Sequence, residues 1–380
     1  MATHRLEDAN WDYLLTLLPA NWQELAKVSG GVSRLRGAAS LGNLLRTLLL
    51  HIAHGCSLRT TSVVAKAAGW ASMSDVALLK KLRICEGWLC SLCLGLIEES
   101  GMAIPLTHKG LRMRLVDSTI IKEPGDTGSQ WRVLYSLSVP NWQCDFFRLT
   151  PTKGVGNGES LKYFDIKPGD CLLADRGFSH LIGIRDVHRQ GGSVIVRLNE
   201  QITPLETEDG APMVLLDWLV MLAEPGQFGE TRVWLPAAKG GHARLPARLC
   251  AIRKSVEATV LAERKLKRKA SKKQSDLKSA TLEHSAWIVV VTTVQDDVLS
   301  AELVLEWYRV RWQIELAFKR LKSLGDVGHL PKRDAASSRA WVYGKLLVAL
   351  LTEKMQRHAA SFSPWGGRWL EQDPPPEFLA

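Results

Sequence analysis

Trp307-Tyr308-Arg309-Val310-Arg311-Trp312-Gln313-Ile314-Glu315-Leu316-Ala317-Phe318-Lys319-Arg320-Leu321-Lys322 carries two helical stripes at once. At about 100° per residue, Arg311, Glu315 and Lys322 fall within roughly 60° of Tyr308. Trp307, Val310, Ile314, Phe318 and Leu321 form the neighbouring apolar stripe. The spacing predicts a long helix over Leu299 to Leu324, anchored to a core, with a phenol, a guanidinium, a carboxylate and an ammonium along one line. A plainer reading of the same spacing makes Arg311 and Glu315 an ordinary i,i+4 ion pair.

Upstream of that helix, Ala286-Trp287-Ile-Val-Val-Val-Thr-Thr-Val294 reads as a buried strand. Further strands are expected at Leu111 to Ile120, Trp131 to Val139, Cys144 to Leu149, Cys171 to Ala174 and Ser193 to Leu198, with others at Arg232 to Pro236 and Ala247 to Arg253. Two of these apolar runs stop abruptly at a carboxylate. In Leu111-Arg-Met-Arg-Leu-Val-Asp117, alternation puts Leu111, Met113, Leu115 and Asp117 on one face, and Leu172-Leu-Ala-Asp175-Arg-Gly177 repeats the pattern. A carboxylate at the end of a buried strand is costly unless a metal, an arginine or turn amides compensate it. Either aspartate by itself could be a turn or capping residue.

Together with Glu315 the pair suits phosphodiester chemistry. Three carboxylates supply about −3 and two Mg2+ ions about +4, which leaves room for an anionic scissile phosphate and an incoming oxygen. Hard oxygen ligands select Mg2+ or Mn2+ over zinc. Cys90-Ser-Leu-Cys93, with His51 and His54 nearby only in sequence, makes no zinc signature. Gly154-Val-Gly-Asn-Gly-Glu159 lacks the Lys-Ser/Thr of a phosphate-cradling loop.

The 380 residues include 49 Lys and Arg against 39 Asp and Glu, a net charge of +10 that favours a polyanionic partner, nucleic acid first. Arg253 to Lys273 concentrates nine basic residues against two Glu, as a solvated helix face or loop or as a footprint for phosphates. Fourteen Trp against five Tyr supply flat surfaces for a core or for base stacking. Seven scattered Cys, an acidic N-terminus and no membrane-length apolar run argue for reduced thiols in a cytosolic chain without a membrane partner.

Residues 1–105 read as an all-helical unit, with apolar spacing at Leu41 to Ile52 and Val76 to Ile97. Between these, Ser57 to Asp75 contains a helix, a Gly break and a capped restart, either a helix-turn-helix DNA reader or two helices of a bundle. A final apolar helix is expected from Ala335 to Met355, and 361–380 as a weakly structured tail rich in Pro, Gly and Trp.

The spacing Tyr308, Arg311, Glu315, Lys322 resembles the signature of the DDE transposases of the fourth bacterial insertion-sequence family. Gly128-Ser-Gln-Trp131-Arg-Val-Leu-Tyr135, Gly158-Glu-Ser-Leu and Leu173-Ala-Asp175-Arg-Gly177-Phe178 are similar to that family too. Leu134 departs from a His often found there.

The resemblance implies an α/β fold: an RNase H-like catalytic core, a mixed sheet flanked by helices, over 106–199 and 286–360. A mainly β insertion with the basic segment would occupy 200–285, and 1–105 would be a helical DNA-binding domain. It further implies catalytic and metal-binding roles for Asp117, Asp175 and Glu315 with two Mg2+, Mn2+ substituting, and DNA contacts from Tyr308, Arg311, Lys322 and Arg197. Trp287 matches a Trp that holds a flipped base in members with a hairpin intermediate, or is a core strand Trp. The implied function is cut-and-paste transposition by a homodimer on terminal inverted repeats and target DNA, in the bacterial cytoplasm at the nucleoid. A non-mobile RNase H-like nuclease and an inactive DNA-binding regulator are the alternatives.

Overall fold

A computed structural model of the chain describes residues 10–32, 34–99, 110–122, 130–139, 143–152, 158–237, 243–274, 276–277, 279–311 and 334–361. The expected Gly154 loop, the second half of the long helix with Glu315 and Lys322, and the C-terminal tail fall wholly or mostly outside them.

In chain order the helices are α1 (10–16), α2 (Trp22–Val28), α3 (Leu41–Ala53), α4 (Leu58–Ala67), α5 (Asp75–Ile84) and α6 (Glu86–Glu99). Strands β1 (Arg112–Lys122), β2 (Gln130–Ser138), β3 (Gln143–Pro151) and β4 (Asp170–Ala174) follow, then α7 (Leu181–Arg189) and β5 (Ser193–Arg197). The chain continues through α8 (Leu215–Leu219), β6 (Phe228–Leu235), β7 (Leu245–Arg253), α9 (Val256–Lys273), α10 (Ser279–His284) and β8 (Trp287–Thr292). It ends, among the described residues, with α11 (Ala301–Val310) and α12 (Ala335–Ser361). Serine starts many of these helices: Ser40, Ser57, Ser74, Ser255 and Ser300 each accept a hydrogen bond from the amide three residues on. Each such cap stabilises its helix by about 1 kcal/mol.

The eight strands of the described residues join one mixed sheet in the order β3-β2-β1-β4-β5-β8-β7-β6. β1 pairs parallel with β4 and β4 parallel with β5, and the remaining neighbours are antiparallel. The segment 200–285, expected to form a mainly β insertion, contributes β6 and β7 to this same sheet along with three helices. The basic run is α9, whose cationic side chains leave few apolar ones to bury.

Two apolar clusters cover the two faces. One joins Met113, Leu115, Cys171, Leu173, Ile195 and Val290 to the N-terminal helices, α11 and α12. The other joins Val116, Leu172, Val194, Val196 and Val291 to α7 and α8. The N-terminal helices thus share a core with the sheet and α12. A Cβ on Gly344 would collide with Ile52, so α12 needs glycine there to lie this close to α3. Ion pairs lace the contact: Arg83 grips Asp334 through two nitrogens at 2.9 and 3.1 Å, and Arg339 grips Glu86 at 2.5 and 2.9 Å. The run expected from Val76 to Ile97 is broken at buried Cys85, where α5 stops and α6 starts. Beneath the sheet, Arg114 is buried against Asp145 at 2.7 Å and Asp170 at 2.9 Å, which fastens β1 to β3 and β4. No helix among the described residues is long and apolar enough to cross a membrane.

Candidate active site

Strand register positions the two aspartates. Arg112 lies opposite Asp170 and Leu115 opposite Leu173 in the β1–β4 pair, and the same step carried two residues on sets Asp117 opposite Asp175. Leu173 lies opposite Ile195 and Ala174 opposite Val196 in β4–β5, which sets Asp175 opposite Arg197. Side chains alternate along a strand. Leu115, Leu173 and Ile195 all face the cluster that contains α11 and α12, so Asp117, Asp175 and Arg197 form one row on that face. Asp175 keeps an extended backbone and caps the following turn, its Oδ1 accepting from the Gly177 amide at 2.8 Å.

Helix α11 packs against β5, β6, β7 and β8, and its C-terminal end reaches this row. Tyr308 is buried in the shared cluster, and its electrostatic neighbours are Arg311, Arg197 and Asp175. Burial raises the Tyr308 phenol above its usual range, and the two arginines oppose that rise. The Arg311 guanidinium lies 5.7 Å from the Tyr308 ring centre and acts on Asp117 as well. Asp117, Asp175, Arg197, Tyr308 and Arg311 are therefore brought together from β1, the turn after β4, β5 and the end of α11.

Burial pushes the Asp117 carboxyl up to about 7; the Ser118 amide and Arg311 oppose the rise, and Asp175 and Glu159 add to it. Two hard-oxygen carboxylates in a half-buried row beside the guanidiniums of Arg197 and Arg311 are a donor set that fits Mg2+ or Mn2+. Among the described residues no three His, Cys, Asp or Glu groups converge as a metal cluster. Glu315 and Lys322 lie outside those residues.

Trp287 is placed elsewhere. It belongs to the cluster on the opposite sheet face, is 7% exposed, and its Nε1 donates to the Leu222 carbonyl at 3.0 Å. The Arg253 guanidinium covers its ring at 4.1 Å. In this arrangement it packs as a core residue, away from the carboxylate row.

Two further cations stand beside the row, of which the sequence reading counted Lys254 only as part of the basic run from Arg253. Arg176 follows Asp175, and Lys254 lies between β7 and α9. Burial, then Arg197, Arg176 and Lys265, lowers the Lys254 ammonium to about 8. Burial and Arg197 lower Arg176 in turn. Their sequence signal is position: Arg176 lies two residues past the end of β4 and Lys254 one past the end of β7. Glu159 and its partner Arg132, also outside the expected site, pair at 2.6 Å next to Ser118.

Comparison with known proteins shows the family. A family model described as a transposase DDE domain matches residues 160–351. The chain is 31% identical over 364 residues to the putative transposase InsL for insertion sequence element IS186A of Escherichia coli (strain K12), covering 93% of this chain and 96% of that protein. It is 31% identical over 365 residues to the transposase for insertion sequence element IS421 of Escherichia coli, with the same coverage. It is also 23% identical over 408 residues to the transposase for insertion sequence element IS231C of Bacillus thuringiensis subsp. berliner, covering 94% of this chain and 83% of that one. With half its length matched by the domain and near full-length likeness to these relatives, the chain belongs to the DDE transposase family.

Proposed function

We propose that this protein is the transposase of its own insertion sequence, of the fourth bacterial family. It binds the terminal inverted repeats as a homodimer, cleaves DNA at their boundaries and joins the freed ends to target DNA. The observation that carries the reading is the row of Asp117, Asp175 and Arg197 under Tyr308 and Arg311. It places two metal-fitting carboxylates beside phosphate-fitting cations on one face. The relatives, each named for an insertion sequence element, support the substrate class.

Asp117 and Asp175, with Glu315 as the third carboxylate, hold two Mg2+ ions, or Mn2+ in their place. When bound, these cations activate an attacking water or 3′ hydroxyl and neutralise the leaving oxygen. Arg197, Arg311 and Lys322 bind phosphates next to the cut, where a guanidinium fork or an ammonium suits a phosphate oxygen. Tyr308 donates its hydroxyl to the backbone nearby and, being buried, holds Arg311 in line. A hairpin route with Trp287 holding a flipped base requires that ring to leave its packing under Arg253; its burial favours a structural role. The protein works in the bacterial cytoplasm on nucleoid DNA.

The test uses purified protein, a labelled duplex carrying the element's own ends and a plasmid target, with Mg2+ or EDTA. Joined products that require both Mg2+ and the terminal repeats support the reading. Cleavage of any DNA without joining would identify a nuclease, and end binding that never leads to cutting would identify a regulator.

A further inference from the structure

Glu159 stands beside the carboxylate row and has no part in the proposed reaction. Its Oε1 accepts from Ser118 Oγ at 2.7 Å and from Arg132 Nη1 at 2.6 Å. Arg132 also donates to Ser118 Oγ at 3.0 Å, which closes a triangle. Ser118 follows Asp117 in β1, and alternation sends it to the sheet face opposite the Asp117 carboxylate. Arg132 reaches the same face from β2. On its other side Glu159 touches the turn that holds Asp175. A Cβ on Gly177 would collide with Glu159 Oε2, and the Gly177 amide is the donor to Asp175 Oδ1. One carboxylate therefore bridges the residue after Asp117 and the residue that fixes Asp175.

We propose that Glu159 is a positioning residue: paired with Arg132, it ties β1 to the Asp175 turn and sets the spacing at which Asp117 and Asp175 hold cations. This rests on the metal-site reading of those two aspartates. Because Arg132 satisfies its charge, Glu159 adds order to the site without serving as a ligand. Groups that orient metal ligands typically change metal affinity 10- to 100-fold when removed. Gly177 belongs to the same device, since any side chain there drives out the Glu159 carboxylate. Its backbone lies outside the left-handed region, and the atom an added Cβ meets first is the end of the flexible Glu159 chain, with Asp175 Oδ1 next at 3.1 Å.

The test titrates Mn2+ alone into the full chain, by calorimetry or by loss of the free-ion paramagnetic signal. Glu159→Gln, Glu159→Ala, Gly177→Ala and the double alanine variant are compared with the unsubstituted chain, each with a thermal melt. Glu159→Ala and Gly177→Ala should each weaken Mn2+ binding about tenfold. The double variant should be no weaker than Gly177→Ala, because in that variant the Glu159 carboxylate is already displaced. Glu159→Gln keeps an oxygen for Ser118 and Arg132, and should restore most of the affinity with the number of bound ions unchanged. Loss of one ion in Glu159→Gln would make Glu159 a ligand and overturn the proposal. Wild-type affinity in Glu159→Ala, or additive losses in the double variant, would also overturn it. If Glu159→Ala does not fold, Gly177→Ala against Glu159→Gln decides the matter. Absence of Mn2+ binding by the unsubstituted chain would overturn the metal-site reading itself, a failure visible before any variant is made.

Discussion

Asp117, midway along β1, and Asp175, just past the end of the parallel strand β4, share one register row two residues beyond the Leu115–Leu173 pair, on one face of the sheet, and Arg197 at the end of β5 continues that row. Like charges held this close oppose the fold and serve the chemistry, a trade common at catalytic sites. Asp175→Asn should therefore raise the melting temperature of the metal-free protein by about 1–2 °C. It should also abolish the further rise that Mn2+ gives the unsubstituted chain. A calorimetric scan with and without Mn2+ reads both, and an unchanged Mn2+ response in Asp175→Asn would remove that residue from the site.

Lys254 offers a test of the cation set by pH. Its folded ammonium titrates at about 8, below the ordinary 10.5, through burial and the neighbouring Arg197, Arg176 and Lys265. A lysine whose folded value is depressed costs stability while it is protonated, and that cost is relieved as pH rises from about 8 to 10.5. Duplex phosphates would draw the proton back. End binding near pH 8.5 should then take up protons, measured by calorimetry in buffers of different ionisation enthalpy, and Lys254→Met should lose that uptake. Proton release on binding would contradict this.

Asp334 links α12 to α5. Burial alone would raise its carboxyl, but hydrogen bonds from Arg83 and from Ser337 overcome this and hold it at about 2. A carboxyl with a depressed folded value contributes stability above its unfolded pKa and loses it as pH falls from about 3.8 through 2. Asp334→Ala removes both the α12 cap and the ion pair, and should cost about 1 kcal/mol at neutral pH. Urea unfolding at pH 7 and pH 2.5 checks this, with the difference between the two proteins shrinking at the lower pH.

Trp287 should behave as a core residue. Trp287→Ala should lose about 3–5 kcal/mol, and Trp287→Phe about 1 kcal/mol or more through its lost bond to Leu222. Urea unfolding measures both. An alanine variant as stable as the unsubstituted chain would show a ring free to leave the core, as a base-holding role requires.

Strand alternation made much of this fold legible. The expected run from Leu111 to Ile120 is β1, Ser193 to Leu198 is β5 give or take a residue, and the apolar run of β4 stops before Asp175 as read, whereas β1 continues past Asp117 to buried Ile121 on the same face. The place of 200–285 was not legible, because β7 joins the sheet through β8, paired across a gap that includes α9 and α10. No local pattern encodes such a pairing. The pairing of Glu159 was hidden for the same reason: Arg132 and Ser118 lie 27 and 41 residues away in sequence, and only folding brings the three together. Trp287 looked alike in either role, since an apolar strand run fits a core residue and a displaced one equally, and its sheet face depends on register.

The most direct measurement is cleavage of a labelled duplex bearing the element's own ends, in Mg2+ and in EDTA, by the unsubstituted chain, Asp117→Asn, Asp175→Asn, Glu315→Gln and Glu159→Gln. The account predicts nicks at the repeat boundary that need Mg2+, vanish in the first three variants and persist in Glu159→Gln at a reduced rate. Cutting that survives Glu315→Gln and is lost in Glu159→Gln would contradict the assigned triad, and cutting in EDTA would contradict the metal site.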